Sequence, residues 1–193
     1  MDCIKKIKID DVIYEAKIDY KTAIRCNEIA LDSKIGNFER LLGTLCTFYG
    51  EQALDHPEHY EKLKKWMENY LSCGKEIKQT KEEPDMDFIE DMDYIYASFM
   101  SDYRIDLNEE NMDWHRFINL INGLSNSELG NCCVLNRIRN LRNFDPSVIK
   151  DSKERQKIID AKKQVALKKY KKENQLTKEQ EESMRRLNEI LGL

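Results

Sequence analysis

The chain of 193 residues carries a formal net charge of −4, is 35% charged, and contains only seven Gly and three Pro. This composition is typical of soluble, helix-rich proteins and does not fit a β-sandwich, a β-barrel or a disordered chain. The uncharged runs at residues 41–50 and 117–127 are shorter than the ~20 apolar residues that a membrane span needs. The N-terminus lacks the apolar run of a signal peptide. We therefore expect a mainly α protein of the cytosol that makes no use of a membrane.

Residues 1–75 predict a short β-hairpin followed by helices. Apolar and charged residues alternate over residues 7–18, with a turn at Asp10 and Asp11. Asp19 is a candidate N-cap of the first helix. Two further helices follow at helical spacing, the second of them opened by Pro57 in its first turn.

Residues 76–87 are polar, contain Pro84 and are predicted to be a linker. Residues 88–145 form the next predicted unit, because aromatic and aliphatic residues recur there every three or four positions. We expect one helix over residues 87–103 and a second that begins near Asn108, where acidic residues would face the positive end of the helix dipole. A capping-box pattern at Ser125 predicts a third.

Residues 146–193 predict a long, charged, helical tail. Asp145 and Pro146 open a lysine-rich helix over residues 148–170, and a final helix has Met184, Leu187 and Leu191 on one side. This tail has too little apolar surface to fold alone, so it should dock on a neighbour or fray. The alternative to separate units is one domain with the tail as an appendage.

The charges are strongly segregated along the chain. Residues 76–113 hold 13 acidic residues against 3 basic ones, and residues 137–172 hold 13 basic against 4 acidic. Such opposed blocks predict a contact between them, either within one molecule or between copies, which leaves a homo-oligomer open.

No pattern in the sequence points to catalysis. The six Cys are scattered without a Cys-x-x-Cys pair and are expected to be reduced thiols, with a redox or zinc role as the alternative. His56 and His59 are three residues apart, but no third metal ligand is evident. Nucleophile, phosphate-loop and dinucleotide motifs are missing from the sequence. We expect a protein that is not an enzyme and uses no metal and no cofactor.

The basic region supports one alternative, a nucleic-acid-binding surface. Seven side chains would line it: Arg137, Arg139, Arg142, Lys150, Lys153, Arg155 and Lys157. Acidic residues interrupt this region and the whole chain is acidic, so we do not expect nucleic acid to be the partner.

The centre of the chain resembles the phage gene-product-fifteen family over residues 88–142. The residues that carry this resemblance are expected to be structural: Tyr94, Phe99, Tyr103, Asp106, Trp114, Phe117, Gly123, Leu124 and Arg139. One position departs from the family pattern, because Arg104 stands where glycine is expected before residues 105–107.

The resemblance implies a role in tail morphogenesis of tailed phages or prophages of Gram-positive bacteria. Genes of this family typically lie between those for the major tail protein and the tape measure protein. The implied role is an assembly chaperone in the host cytoplasm that binds the tape measure protein, and other tail proteins as further candidates, and is absent from the mature virion. A minor structural component of the tail is the runner-up.

Four methionines near the aromatic segment are candidates for a partner-binding surface: Met86, Met92, Met100 and Met112. Core packing is the alternative for each of them. Met86 and Met112 are expected to be exposed enough to serve as probes of binding.

Overall fold

A computed structural model describes residues 3–75, 84–126 and 132–168 of the chain. Within these ranges the fold is mainly α, with one two-stranded antiparallel sheet at the N-terminus and seven α-helices. Among the described residues, no helix is long and apolar enough to cross a bilayer. The predicted final helix lies outside the described residues.

The N-terminal hairpin pairs β1 (Ile4–Ile9) with β2 (Val12–Lys17). Asp10 occupies the turn with φ +52°; Asp tolerates this left-handed conformation better than most residues. Ile7 lies opposite Tyr14 in the ladder, and both side chains are buried. The predicted period of two is therefore confirmed, with one face of the hairpin in the core.

Three helices follow the hairpin: α1 (Tyr20–Leu31), α2 (Asn37–Tyr49) and α3 (Tyr60–Leu71). Asp19 caps α1 as predicted, because its carboxylate accepts the backbone N–H of Thr22 at 3.0 Å. Gly50 ends α2 with φ +83°. Pro57 lies in a 3-10 turn, Pro57–His59, that leads directly into α3; a second 3-10 turn, Glu51–Asp55, precedes it.

The two central helices are shorter than the sequence predicted. Helix α4 spans Met92–Tyr103, because a turn at residues 88–91 replaces its expected first turn. Helix α5 spans Trp114–Asn122 and begins six residues later than expected at Asn108. The physical reason is a long-range backbone pairing: Trp114 N–H donates to Ile18 O at 2.8 Å and Tyr20 N–H to Met112 O at 3.0 Å.

This pairing makes a short antiparallel bridge between Asp19 and Asp113. Asp113 also caps α5, since its carboxylate accepts the N–H of Arg116 at 3.1 Å. The bridge therefore fixes the start of α1 beside the start of α5, with one aspartate cap on each.

Arg104 ends α4 in the left-handed conformation, with φ +56°. Its N–H bonds Met100 O at 3.2 Å, and the N–H of Ile105 bonds Phe99 O at 3.3 Å. The bond from Arg104 to the carbonyl four positions earlier is that of the αL C-cap motif, in which glycine is the preferred residue. The backbone thus keeps a glycine-type turn although the side chain is arginine.

The last two described helices are α6 (Val134–Asn143) and α7 (Ser152–Val165). Cys133 rather than Ser125 is the N-cap of α6, and part of the predicted capping box, residues 127 and 128, lies outside the described residues. A 3-10 turn, Pro146–Val148, separates α6 from α7. The predicted helix over residues 148–170 therefore begins later, at Ser152, and ends at Val165 because Ala166 is extended; residues 169 and 170 lie outside the described residues.

One hydrophobic core joins the hairpin, the first three helices and the central helices. At its centre the ring of Phe117 stacks on Tyr20 and on Phe99, with centroid distances of 4.5 and 5.4 Å. The hydroxyl of Tyr20 donates to Leu107 O at 2.7 Å, which satisfies a buried polar atom. Residues on both sides of the predicted linker share this core.

The acidic and basic blocks meet within the molecule. Arg142 on α6 makes a bidentate ion pair with Asp91, in which the two guanidinium nitrogens Nη1 and Nη2 lie 2.6 and 2.7 Å from the carboxylate oxygens. Arg139 lies 3.2 Å from a carboxylate oxygen of Asp85, and Asn143 donates to the other oxygen of that group at 3.0 Å. The predicted contact between the blocks thus holds α6 against residues 85–91.

Candidate functional site

A groove of about 800 Å³ runs between α1, α2 and α3. Its lining combines small and apolar side chains from these helices with Phe88 and Trp114, which come from the central region. This groove was not predicted from the sequence.

The floor of the groove is built where α1 packs closely on α2. A Cβ added at Gly43 would lie 3.2 Å from Ile29, so glycine at this position permits the close approach. Ala23 and Cys26 are buried on the α1 side, and Thr44 is buried on the α2 side. Small residues on both helices leave space above them.

Polar atoms in the floor are already satisfied by the protein. Trp114 Nε1–H donates to Leu71 O at 2.8 Å, and the Thr44 hydroxyl donates to Leu41 O at 2.9 Å. Cys26 Sγ contacts Thr44 O at 3.7 Å, and burial raises the pKa of this thiol to about 12. A ligand in the groove would therefore meet mainly carbon and neutral sulfur.

The groove is open to solvent on one side, and its most exposed apolar residue is Phe38. This side chain lies in the first turn of α2 and is 60% exposed. Charged residues at the edge, Arg40, Lys64 and Glu68, surround the apolar lining. An apolar patch with a polar rim is the usual composition of a protein-binding surface.

The structure does not bring the four candidate methionines into this groove. Met86 and Met92 are half-buried against the core, so the expectation that Met86 is exposed is wrong; Met100 is exposed on α4. The expectation that Met112 is exposed is wrong: it is 2% exposed, because it lies in the strand-like segment that pairs with Tyr20. The methionine that does line the groove is Met67 on α3.

The residues that carry the family resemblance lie mostly in the core. Phe99, Trp114, Phe117 and Leu124 are buried, and Tyr94 packs against them. The hydroxyl of Tyr103 donates to Leu120 O at 2.9 Å.

The other three residues of the family resemblance are Gly123, Asp106 and Arg139, which shape the backbone or form an ion pair. A Cβ at Gly123 would come within 2.8 Å of the Tyr103 hydroxyl. Asp106 accepts the N–H of Asn108 at 2.8 Å in a tight turn. Arg139 pairs with Asp85.

His56 and His59 have a third group near them that the sequence analysis did not identify. Ligand atoms of His56, Glu58 and His59 lie within 4.8 Å of one another. Both nitrogens of the buried His59 have protein partners, however: Nδ1 is 2.7 Å from the Tyr14 hydroxyl and Nε2 is 3.2 Å from Asp10. The imidazole thus ties α3 to the hairpin, which favours a structural role.

The six cysteines all lie within the described residues and are free thiols. Cys26 and Cys133 are buried, and the other four are half-buried.

A family model described as Bacteriophage Gp15 protein matches residues 1–167, which run from the N-terminus to just past α7. No curated protein and no solved structure matches the chain. The match includes the whole groove and all the residues on which the resemblance was based. The chain therefore belongs to the bacteriophage Gp15 protein family.

Proposed function

We propose that this phage protein is a tail assembly chaperone that binds the tape measure protein before the tail tube polymerises around it. Family membership supports a phage role, and the genomic position typical of the family favours tail assembly. The observation that carries the proposal is the apolar groove between α1, α2 and α3. It is a surface for a protein ligand, and nothing in its lining suggests chemistry on a substrate.

The groove suits one face of an amphipathic helix. Such a helix presents apolar residues at positions i, i+3, i+4 and i+7 and inserts them between the helices of its receptor. Here Leu41 on α2 and Met67 on α3 line the groove together with small residues of α1. A tape measure protein is long, helical and apolar in stretches, so it offers many such faces.

Contacts within the molecule occupy part of the basic surface that was considered for nucleic-acid binding. Arg139 and Arg142 are paired with Asp85 and Asp91, and Arg155 donates to Ile149 O at 2.6 Å. These contacts use three of the seven side chains and favour a structural role for them. We therefore propose that nucleic acid is not the partner of this protein.

The direct test is co-expression with the tape measure protein encoded by the same phage genome. We expect the tape measure protein to become soluble and to co-purify with the chain. Phe38→Asp should weaken binding by about tenfold, because burying the exposed part of a Phe contributes about 1.5 kcal/mol.

Val148→Asp is the matched control, since Val148 is 67% exposed and lies outside the groove. It should leave binding unchanged. An equally insoluble tape measure protein, with nothing co-purifying, contradicts the proposal.

Mass spectrometry of purified virions separates the chaperone from the runner-up. A chaperone that acts in the host cytoplasm is absent from the particle, whereas a minor tail component is retained at a fixed copy number. A titration against DNA and RNA at low salt addresses the nucleic-acid alternative, for which affinity would fall steeply as salt rises.

A further inference from the structure

We infer that the C-terminal segment, residues 177–193, docks into the groove of its own molecule when no partner is bound. The groove then has an internal ligand that a client must displace. Docking itself does not depend on which client the protein binds; only the competition with a client rests on the proposed function.

The described chain ends beside the segment that contributes Phe88 to the groove. Leu167 is buried, and the N–H of Lys168 donates to a carboxylate oxygen of Glu90 at 2.8 Å. Glu90 is two residues from Phe88, which lines the groove. The C-terminal segment therefore begins next to residues 88–90, of which Phe88 lines the groove.

The remaining chain is long enough to reach every part of the groove. Lys168 and Met184 are sixteen positions apart in the sequence. The segment between them spans up to about 50 Å when extended and about 24 Å as a helix. A tether of this length gives a local concentration in the millimolar range, so even a weak contact would be populated.

The segment also has the apolar pattern that the groove requires. Met184, Leu187 and Leu191 recur at spacings of three and four, which places them on one side of a helix. The family match ends at residue 167, so this stripe is an addition to the part of the chain that forms the groove.

The other segment that could cover the groove is less suitable. Residues 76–83 join the end of α3 to the region of Phe88, but they contain one large apolar residue, Ile77. One such residue cannot form a stripe. The C-terminal segment is therefore the occupant that the chain itself supplies.

Photocrosslinking in the full-length chain tests this inference without any client. The photoreactive residue p-benzoylphenylalanine replaces Leu187 in one variant. It replaces Glu189 in the control, because that position lies on the opposite side of the predicted helix. After irradiation of the dilute protein, peptide mass spectrometry locates the crosslinks.

We expect the residue at position 187 to crosslink within one chain to residues 23–44 or 64–72, and position 189 to give at least fivefold less of this product.

A second variant fills the groove. Ala30 lines the groove and is exposed, so Ala30→Trp should fold and should abolish the crosslink. Far-UV circular dichroism checks that this variant is folded.

Three results would overturn the inference: crosslinks to other regions, equal yields from positions 187 and 189, or products that join two chains. The last would assign the groove to a second copy. Because no tape measure protein is present, failure here leaves the co-expression result untouched, and the reverse also holds.

Discussion

Replacing Arg142 by alanine should lower the free energy of unfolding by about 3–5 kcal/mol, because it leaves a buried carboxylate without its counter-ion. The side chains of Arg142 and Asp91 are 10% and 1% exposed, so water cannot take over the lost interactions. The guanidinium also donates to Asp85 O at 2.8 Å and to Val165 O at 2.7 Å. Asp91 raises the pKa of Arg142 further above its usual range, so the charge persists at all practical pH values. One side chain thus connects α4, α6 and the end of α7.

Urea unfolding followed by far-UV circular dichroism measures this loss. Arg137→Ala is the control, because Arg137 is exposed on the same helix and its removal should change stability by less than about 0.5 kcal/mol. The double variant Asp91→Leu with Arg142→Met should lose less than the sum of the two single variants, since it leaves no unpaired buried charge. A loss below about 1 kcal/mol for Arg142→Ala would refute this reasoning.

Three further changes test other parts of the structure. Arg104→Gly should stabilise the fold by about 0.5–1 kcal/mol, because relief of a left-handed residue exceeds the added entropy of glycine in the unfolded chain; thermal unfolding measures it. Tyr14→Phe removes the hydroxyl partner of buried His59 and should cost about 1–3 kcal/mol by urea unfolding. Burial raises the pKa of Cys26 to about 12, so the unfolded chain loses this proton first as pH rises above about 9. Cys26 should therefore make stability fall by up to about 1.4 kcal/mol per pH unit between pH 9 and 11, and Cys26→Ala should make that fall shallower.

For each of these three predictions, a second variant or a comparison isolates the cause of the expected change in stability. Arg104→Ala should bring no gain, since alanine has the same Cβ strain in the left-handed region; a gain equal to that of glycine contradicts the explanation. Tyr60→Phe should cost less than Tyr14→Phe, because the Tyr60 hydroxyl bonds a half-exposed carbonyl at 3.2 Å. Parallel pH profiles for Cys26→Ala and the natural chain would exclude the thiol as the source of the effect.

Local patterns in the sequence predicted local structure well. The alternation over residues 7–18 and the cap at Asp19 depend on neighbours within a few positions, and both are present. Arg104 departs from the glycine expected in the family pattern, which put the turn there in doubt, but the backbone has the left-handed conformation that glycine favours. Each of these features is determined by short-range sterics and hydrogen bonds.

Features that depend on distant residues were missed. Helix α5 begins at Trp114 and not near Asn108, because the segment before it pairs with Ile18. The same pairing buries Met112. Periodicity shows that a helix has an apolar face. It does not show how two helices are placed relative to each other, or where a gap is left between their apolar faces. The groove requires α1, α2 and α3 to be placed relative to Phe88, so sequence reasoning could not find it.

The bridge between Asp19 and Asp113 has a consequence for the order of folding. Its two sides are 94 residues apart in the sequence, and the entropy cost of closing a chain loop grows with its length. During synthesis the hairpin and α1 cannot complete their core until Trp114 and Phe117 have left the ribosome. At about 5–20 residues per second, the N-terminal third waits several seconds with apolar surface uncovered. During synthesis the protein therefore passes through a stage in which its own uncovered core residues expose it to aggregation.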